Sequence, residues 1–517
     1  MDGSGETARN GTGGIDRSAG RETIVSADSR PVDAVSADRE SGREKTFIVL
    51  PELRTMSVTR LFDPGSIAVI GASDTPGKIG YEAMRNALEF GGDVYPVNPS
   101  GEGDVFGREF VASVTEIDDD PDLALLCVPA AAVPDVIEEC GEAGVGGAVI
   151  FAGGFAETGG DGEQLQERLI DAAESSGVAL LGPNTSGFLV PEKNLYATFT
   201  TDLETIPAGN LAIVAQSGGL SYSLGFRAQN LGIGVSAMVG LGNRANIGFK
   251  EAIEYFDDDE RTETILLHVE GTADARELLE TCESVDTPVV AYHVGEQDVG
   301  DFAESHTGAL TGEYELYKAG FAQYGVPTVR SCAELIDAGT ALATCPEPDG
   351  PNVGVVTAQA GPGIAITDRL KANGAVLPSL TEETQDVVEE ILPGITFSEN
   401  PVDTGRPMPE FGEVVGAVAR DENVDVVLVY ELYEKGLGYP VETLEEVVED
   451  VDKPIVFASG GPERVLDEEL PKLEELGIPT YRTPESGADA VAGLVQYARR
   501  NADPNVDDAV SGVTADE

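Results

Sequence analysis

The sequence predicts an α/β protein made of three tandem doubly wound domains. Three observations carry that reading. Short, almost continuous apolar segments alternate with longer segments of helical period, the pattern of parallel strands covered by helices on both faces. The alternation runs in three series along the chain. A length of 517 residues leaves room for three to four domains, each with its own core.

Residues 1–55 precede the first series. They are rich in Gly, Ser, Asp and Arg, hold no period and are expected to be a disordered tail. Met56, which opens the first patterned segment, is an alternative start. The first domain, 56–190, reads as five strands: SIAVIGA, GDVYPVN, LALLCVP, GAVIFAGGF and VALLGPN. Helical stretches such as YEAMRNALEF, VPDVIEECGEAG and GEQLQERLIDAAESSG lie between them. The second, 191–345, begins with NLAIVAQSGGL and continues through IGVSAMVGLG, TILLHVEG and TPVVAYHVG to VPTVRS. Its helices include GFKEAIEYFDDD and ADARELLETCESV. CPEPDGPN at 345–352 concentrates Pro, Asp and Gly and marks a linker. The third domain, 346–500, places strands in NVGVVTAQAGPG, GAVLPSL, VDVVLVYEL, KPIVFASGG and IPTYRT. The acidic tail 501–517 is expected to be flexible.

Composition narrows the function. Asp plus Glu number 93 against 32 Lys plus Arg, a formal net charge of −61. Polyanions would be repelled over most of such a surface, which argues against nucleic acid and anionic membranes as partners. Aromatic residues make up 6% and Trp is absent, so a platform for single strands is also disfavoured. Hydrophobic residues reach 41%, enough for globular cores. The charge therefore reads as an acidic coat suited to concentrated salt, where screening removes self-repulsion. Cys127, Cys140, Cys282, Cys332 and Cys345 lie far apart without metal spacing, as buried thiols of a reducing cytoplasm do. No apolar run spans a bilayer and no secretory pattern opens the chain, so the expected location is the cytoplasm.

Glycine-rich turns supply the candidate sites. In VIGASDTPGKIG a strand runs into Gly71, with Gly77 and Gly80 before the next helix, an arrangement that lets backbone amides approach a phosphate. The spacing is not GxGxxG. The second strand ends with Asn98 where a dinucleotide enzyme places a carboxylate for the ribose, which weakens a dehydrogenase reading. A ligand with an extra ribose phosphate fits better, and coenzyme A carries one at the 3′ position. Lys78, Arg85 and Arg108 are candidate anion partners; the plain alternative is a structural turn. LLGPNTSGF places Asn184, Ser186 and Gly187 at a strand's carboxyl end. IVAQSGGLSYSLGF places Gln216, Ser217, Gly218 and Gly219 at a helix start, where amides and dipole favour an anion. The plain alternative there is an ordinary Ser N-cap.

Only three histidines exist. His268 lies inside an apolar strand and reads as structural, and His293 ends another strand. His306, in AESHTGALTG, has small, polar neighbours that would let a phosphoryl donor reach its imidazole; the plain alternative is an inert loop histidine, the commoner case. Glu270, at the carboxyl end of LLHVE, lies where open α/β sheets put their sites and could fix such an imidazole in one tautomer. No His/Cys/Asp cage for a metal, no GxSxG elbow, no GxxxxGK[ST] and no kinase signature is present.

With GASDTPGKIG, YPVNP, GFAETG, GPNTSG, AQSGGL, LGN, VEG and SHTGAL in this order, the chain resembles the α subunits of the ADP-forming acetyl-CoA (acyl-CoA) synthetases. These are relatives of the succinyl-CoA synthetase α subunit. The resemblance covers 57 to about 500 and implies a Rossmann-like CoA-binding domain followed by two flavodoxin-like ligase domains. It implies interconversion of acyl-CoA, ADP and phosphate with the free acid, ATP and CoA, through an acyl phosphate and a phosphohistidine. His306 then matches the phosphorylated histidine, Glu270 the carboxylate that steadies it, and Ser217, Gly218 and Gly219 the phosphoryl cradle. Asn184 matches the turn near thioester and phosphate. Gly71, with its turn, and Ser73, Lys78, Val97, Asn98, Pro99 and Val128 fall where the family holds CoA. The three α/β domains use the whole length, so the resemblance implies a separate ATP-grasp β subunit bringing ADP or ATP with Mg²⁺, in an α2β2 assembly.

The chain also departs from the family pattern. A Lys-Ser-Gly-Arg-like basic segment before SHTG is replaced by YHVGEQDVGDFAE, with His293 near the lysine's place. GPNC reads GPNT, SQSGA reads AQSGG and NGGGPG reads AQAGPG. The altered segment 293–304 motivates a second reading, a CoA-binding regulatory protein of the same fold. No motif marks which carboxylic acid is used.

Overall fold

In the computed structural model the described residues are 58–296, 314–392 and 396–501. The first sheet contains β1 (Ser66–Ile70), β2 (Asp93–Val97), β3 (Leu123–Leu126), β4 (Gly147–Ile150) and β5 (Ala179–Leu181), all parallel, in the order β2-β1-β3-β4-β5. Every residue of β3, β4 and β5 is buried, as continuous apolar strands require when helices cover both faces. Those helices are α1 (Ile79–Ala87), α2 (Val133–Glu142) and α3 (Asp161–Ser176). α3 stops at Gly177, whose φ of 71° is the left-handed cap that a side chain would disfavour.

The second sheet opens with a hairpin that the strand alternation did not reveal, β6 (Gly187–Val190) and β7 (Leu195–Ala197). It continues with β8 (Ala208–Ala215), β9 (Val235–Gly240), β10 (Thr264–Val269), β11 (Val289–His293) and β12 (Thr328–Val329). The order is β12-β11-β10-β8-β9-β6-β7, with β6 antiparallel to β9 and the strands from β8 to β12 parallel. Around it lie α4 (Gly218–Asn230), α5 (Phe249–Asp257), α6 (Ala275–Ser284), α7 (Tyr314–Gln323) and α8 (Cys332–Thr344).

The third sheet is β14-β13-β15-β16-β17, parallel, from β13 (Val353–Thr357), β14 (Val402–Asp403), β15 (Val426–Leu432), β16 (Ile455–Gly460) and β17 (Thr480–Tyr481). Here one expectation fails. GAVLPSL is not a strand; it touches β13 through a single bridge from Asn352 to Val376. Pro378 cannot donate to a ladder, and the side chain of Asn400 takes the strand's place. Its Oδ1 accepts from the Val355 amide at 3.0 Å and its Nδ2 donates to the Val353 carbonyl at 2.8 Å.

The first two sheets meet through an aromatic cluster in which Phe62 lies 5.1 Å from Phe188 and 5.0 Å from Tyr255, ring to ring. The second and third meet through α8 and α9 (Pro484–Ala498). A Cβ on Gly493 would stand 2.6 Å from that of Ala338, so the helices approach to backbone contact. Among the described residues no helix is long and apolar enough to cross a membrane.

In each sheet the chain leaves the first parallel strand to one side and returns to its other side. The reversal opens a crevice at the carboxyl ends of the first and third strands, where open α/β sheets bind ligands.

Candidate functional site

The crevice of the first sheet is built by Gly71, Val97 and the turn Cys127–Val128. The Gly71 amide donates to the Val97 carbonyl at 2.8 Å, and the Cys127 amide to the Ile70 carbonyl at 2.8 Å. Gly71 has φ 88°, and a Cβ there would lie 2.5 Å from the Cys127 carbonyl oxygen. A Cβ on Gly80 would run into the Gly71 carbonyl, so both glycines are needed for α1 to start this close to the sheet. Asn98 serves the crevice rather than a ribose: its Nδ2 donates to the Ala72 carbonyl at 2.8 Å and its Oδ1 accepts from the Ser100 amide at 2.9 Å. The bond to Ala72 ties the ends of β1 and β2 together, with Pro99 following. Ser73 Oγ accepts from the Thr75 amide at 3.1 Å, shaping the turn.

The three basic candidates separate. Arg85 pairs with Glu82 at 3.0 Å, and Arg108 donates to the Val94 carbonyl at 3.2 Å. Lys78, exposed at the N-cap of α1, makes no ion pair among the described residues and is available to an anion at the crevice rim. Burial pushes the Cys127 thiol up to about 12, so no thiolate competes there.

The crevice of the second sheet faces loops of the first. Gln216 follows β8 and is buried; its Oε1 accepts from the amides of Glu270 at 2.9 Å and Gly271 at 3.2 Å, beyond β10. One side chain thus ties both walls of the reversal together and sets where Glu270 stands. Ser217 caps α4, its Oγ accepting from the Leu220 amide at 3.4 Å, and its hydroxyl hydrogen has no acceptor among the described residues. A Cβ on Gly218 would stand 2.6 Å from Ser186 Oγ, whereas the space beside Gly219 is open.

Loops from β4, β5 and β9 complete this wall. Asn184 adopts φ 58° and its amide donates to the Ala152 carbonyl at 2.9 Å. Its Nδ2 lies 3.4 Å from Asn243 Oδ1, and Asn243 Nδ2 donates to Glu157 Oε2 at 2.6 Å. Burial works to raise the Glu157 carboxyl, but hydrogen bonds from Asn243, Gly154 and Phe155 outweigh it and hold the group below its ordinary range. Arg244, at φ 59°, donates from Nη2 to the Gly271 carbonyl at 2.9 Å and lies 4.9 Å above the Phe249 ring. Burial lowers its guanidinium, while Tyr317, Glu270 and Asp274 oppose that effect. Its Nη1 is buried with no partner among the described residues. Glu157, Asn243 and Arg244 were missed by sequence reasoning, although GFAETG and LGN contain or adjoin them. Arg244 supplies a cation at the reversal, a role for which the altered segment 293–304 offers no candidate.

Two histidines behave as strand residues. His268 is buried on β10 beside Tyr292, and burial followed by the charge of His293 lowers it to about 4, so it stays neutral. His293 is buried at the end of β11, Nδ1 3.0 Å from the Val269 carbonyl and its ring against Tyr314 and Tyr317. His306 lies outside the described residues. Among the described residues no three His, Cys, Asp or Glu side chains gather to hold a metal ion.

A family model described as a CoA binding domain matches residues 65–191, and one described as a succinyl-CoA ligase like flavodoxin domain matches 208–342. The chain is 37% identical over 462 residues to the α subunit of ADP-forming acetate–CoA ligase I of Pyrococcus furiosus, covering 86% of this chain and 98% of that one. An ADP-forming acetate–CoA ligase of Archaeoglobus fulgidus is 36% identical over 86% of this chain, which spans 64% of that longer protein. Among solved structures, acetyl-coenzyme A synthetase 1 of Ca. Korarchaeum cryptofilum, with phosphate and ADP, is similar with a TM-score of 0.77 and 32% identity. That likeness covers 86% of this chain and 97% of the other.

Proposed function

This chain belongs to the family of ADP-forming acetate–CoA ligase α subunits, and we propose that it turns acyl-CoA, ADP and phosphate into carboxylic acid, ATP and CoA, and back. The observation that carries the reading is the Gln216 tie, which sets Glu270 beside the α4 N-terminus and Arg244.

The first crevice holds CoA, with Gly71, Ser73, Val97, Asn98, Pro99 and Val128 shaping the cleft and Lys78 meeting phosphate. Phosphate, cradled by the amides of Ser217, Gly218 and Gly219 near Asn184, attacks the thioester carbonyl. The C–S bond breaks, CoA leaves as the thiol after taking a proton, and an acyl phosphate remains. Arg244 and the α4 dipole stabilise the charge that gathers on phosphate oxygens. His306 attacks phosphorus and the carboxylic acid departs as its anion, while Glu270 holds the imidazole in the reactive tautomer. ADP, brought with Mg²⁺ by an ATP-grasp β subunit in an α2β2 assembly, then receives the phosphoryl group. A cytoplasmic setting suits these substrates, and the acidic surface suits concentrated salt.

Reconstitution tests this. The chain mixed with its ATP-grasp partner is expected to form ATP from acetyl-CoA, ADP and phosphate, and neither subunit alone should do so. A chain that binds CoA but yields no ATP in any such mixture would be the regulatory CoA-binding protein instead.

A further inference from the structure

The residues after β2 fold into a two-stranded ribbon, Asp104–Val105 against Arg108–Glu109. Its two-residue turn is Phe106–Gly107, with φ of 54° and 78°. Positive φ at both central positions is the type I′ hairpin, which favours Asn, Asp or Gly at the first of them. A bulky aromatic residue there is an outlier that surrounding structure must sustain. Phe106 is also 44% exposed, so burial in a core does not account for it.

The ribbon is anchored to the crevice of the first sheet. The Asn98 amide donates to the Val111 carbonyl at 2.9 Å, and the Val111 amide to the Pro96 carbonyl at 3.0 Å. Arg108 holds the other side of the ribbon to β2 through the Val94 carbonyl. This brings the Phe106 ring 4.9 Å from that of Tyr81, in the first turn of α1, at an interplanar angle of 44°. Ile79, one residue before Gly80 and 47% exposed, and Lys78, which makes no ion pair among the described residues, precede Tyr81 on the same turn. An open aromatic face, an apolar side chain and a cation therefore share one rim of the cleft.

We propose that Phe106, backed by Tyr81, is the stacking surface for the purine base of CoA, with Lys78 beside it for the ribose phosphate. The proposal rests on the reading of the first crevice as the CoA site and assigns the nucleotide end of the ligand within it. A purine needs a flat apolar face and little else, and one aromatic face supplies that in a chain whose charge repels the phosphates.

Titration calorimetry on the full chain separates the possibilities, using CoA and 4′-phosphopantetheine, which lacks the adenosine. Phe106→Ala is expected to weaken CoA about tenfold and leave phosphopantetheine unchanged, and Phe106→Trp to restore CoA. Phe106→Asn suits the turn, so it should match or exceed the wild-type melting temperature while still weakening CoA. Equal affinity of wild type and Phe106→Ala for CoA overturns the proposal and leaves the crevice reading intact. An equal loss of phosphopantetheine binding, or a lowered melting temperature in Phe106→Asn, overturns it as well, because the ring would then be structural. A wild-type chain that binds no CoA overturns the crevice reading itself.

Discussion

Replacing Gln216 with Leu probes the tie between the two walls of the second crevice. Leucine keeps the size of the side chain and removes the oxygen that accepts from the Glu270 and Gly271 amides. A buried amide left without an acceptor costs about 1–3 kcal/mol. The Gly271 amide is buried and the Glu270 amide only partly so, and water will satisfy some of the second; the expected sum is about 3 kcal/mol. For a cooperative unit of about 150–250 residues, the span of one sheet with its helices, that corresponds to a melting temperature lower by about 6–12 °C. Hydrogen exchange provides the site-specific readout: the amides of residues 270 and 271 should exchange faster, while those of β13 in the third sheet should not. Activity should fall further than stability explains, because Glu270 loses its fixed position. A Gln216→Leu protein with melting temperature, exchange and turnover all equal to wild type would refute the role given to this side chain.

Further perturbations follow from the geometry. Gly71→Ala places a Cβ 2.5 Å from the Cys127 carbonyl at φ 88°, and is expected to cost roughly 2–4 kcal/mol and to abolish CoA binding, read by urea unfolding and calorimetry. Unchanged CoA affinity would show that the turn tolerates a side chain. Glu431, at the carboxyl end of β15, is buried with Oε2 unpartnered among the described residues, and burial, aided by Glu434, pushes it up to about 8. A carboxyl raised in this way favours the folded state most below its ordinary value of 4.5, and that contribution is lost as pH rises through about 8. Glu431→Gln should therefore flatten the decline of stability over this interval and gain at most about 5 kcal/mol at its alkaline end. Identical pH profiles for the two proteins would contradict the burial argument.

Much of this architecture was legible in the chain because it depends on local patterns. Apolar runs such as LALL and GAVI fill fully buried strands, and Gly71, Gly80 and Gly218 mark backbone approaches that no side chain would permit. What escaped depends on distant partners. GAVLPSL has the composition of a strand, but Asn400, outside that segment, supplies the hydrogen bonds a strand would have made. Glu157 and Asn243 are 86 residues apart and acquire a role only where loops from two sheets meet. Arg244 follows the LGN motif directly, yet nothing in LGNR indicates that its guanidinium reaches the Gly271 carbonyl. Lys78 was one of three basic candidates, and only contacts in three dimensions set it apart: Arg85 pairs with Glu82, and Arg108 is spent on the Val94 carbonyl.

In the proposed reaction His306 carries a phosphoryl group between acyl phosphate and ADP. Incubating the full chain with acetyl-CoA and radioactive phosphate tests it most directly. Label that acid removes and base preserves is expected, absent from His306→Ala and discharged on adding ADP with the partner subunit. Label of equal intensity in His306→Ala, or a wild-type chain that binds CoA and never takes up phosphate, would contradict it.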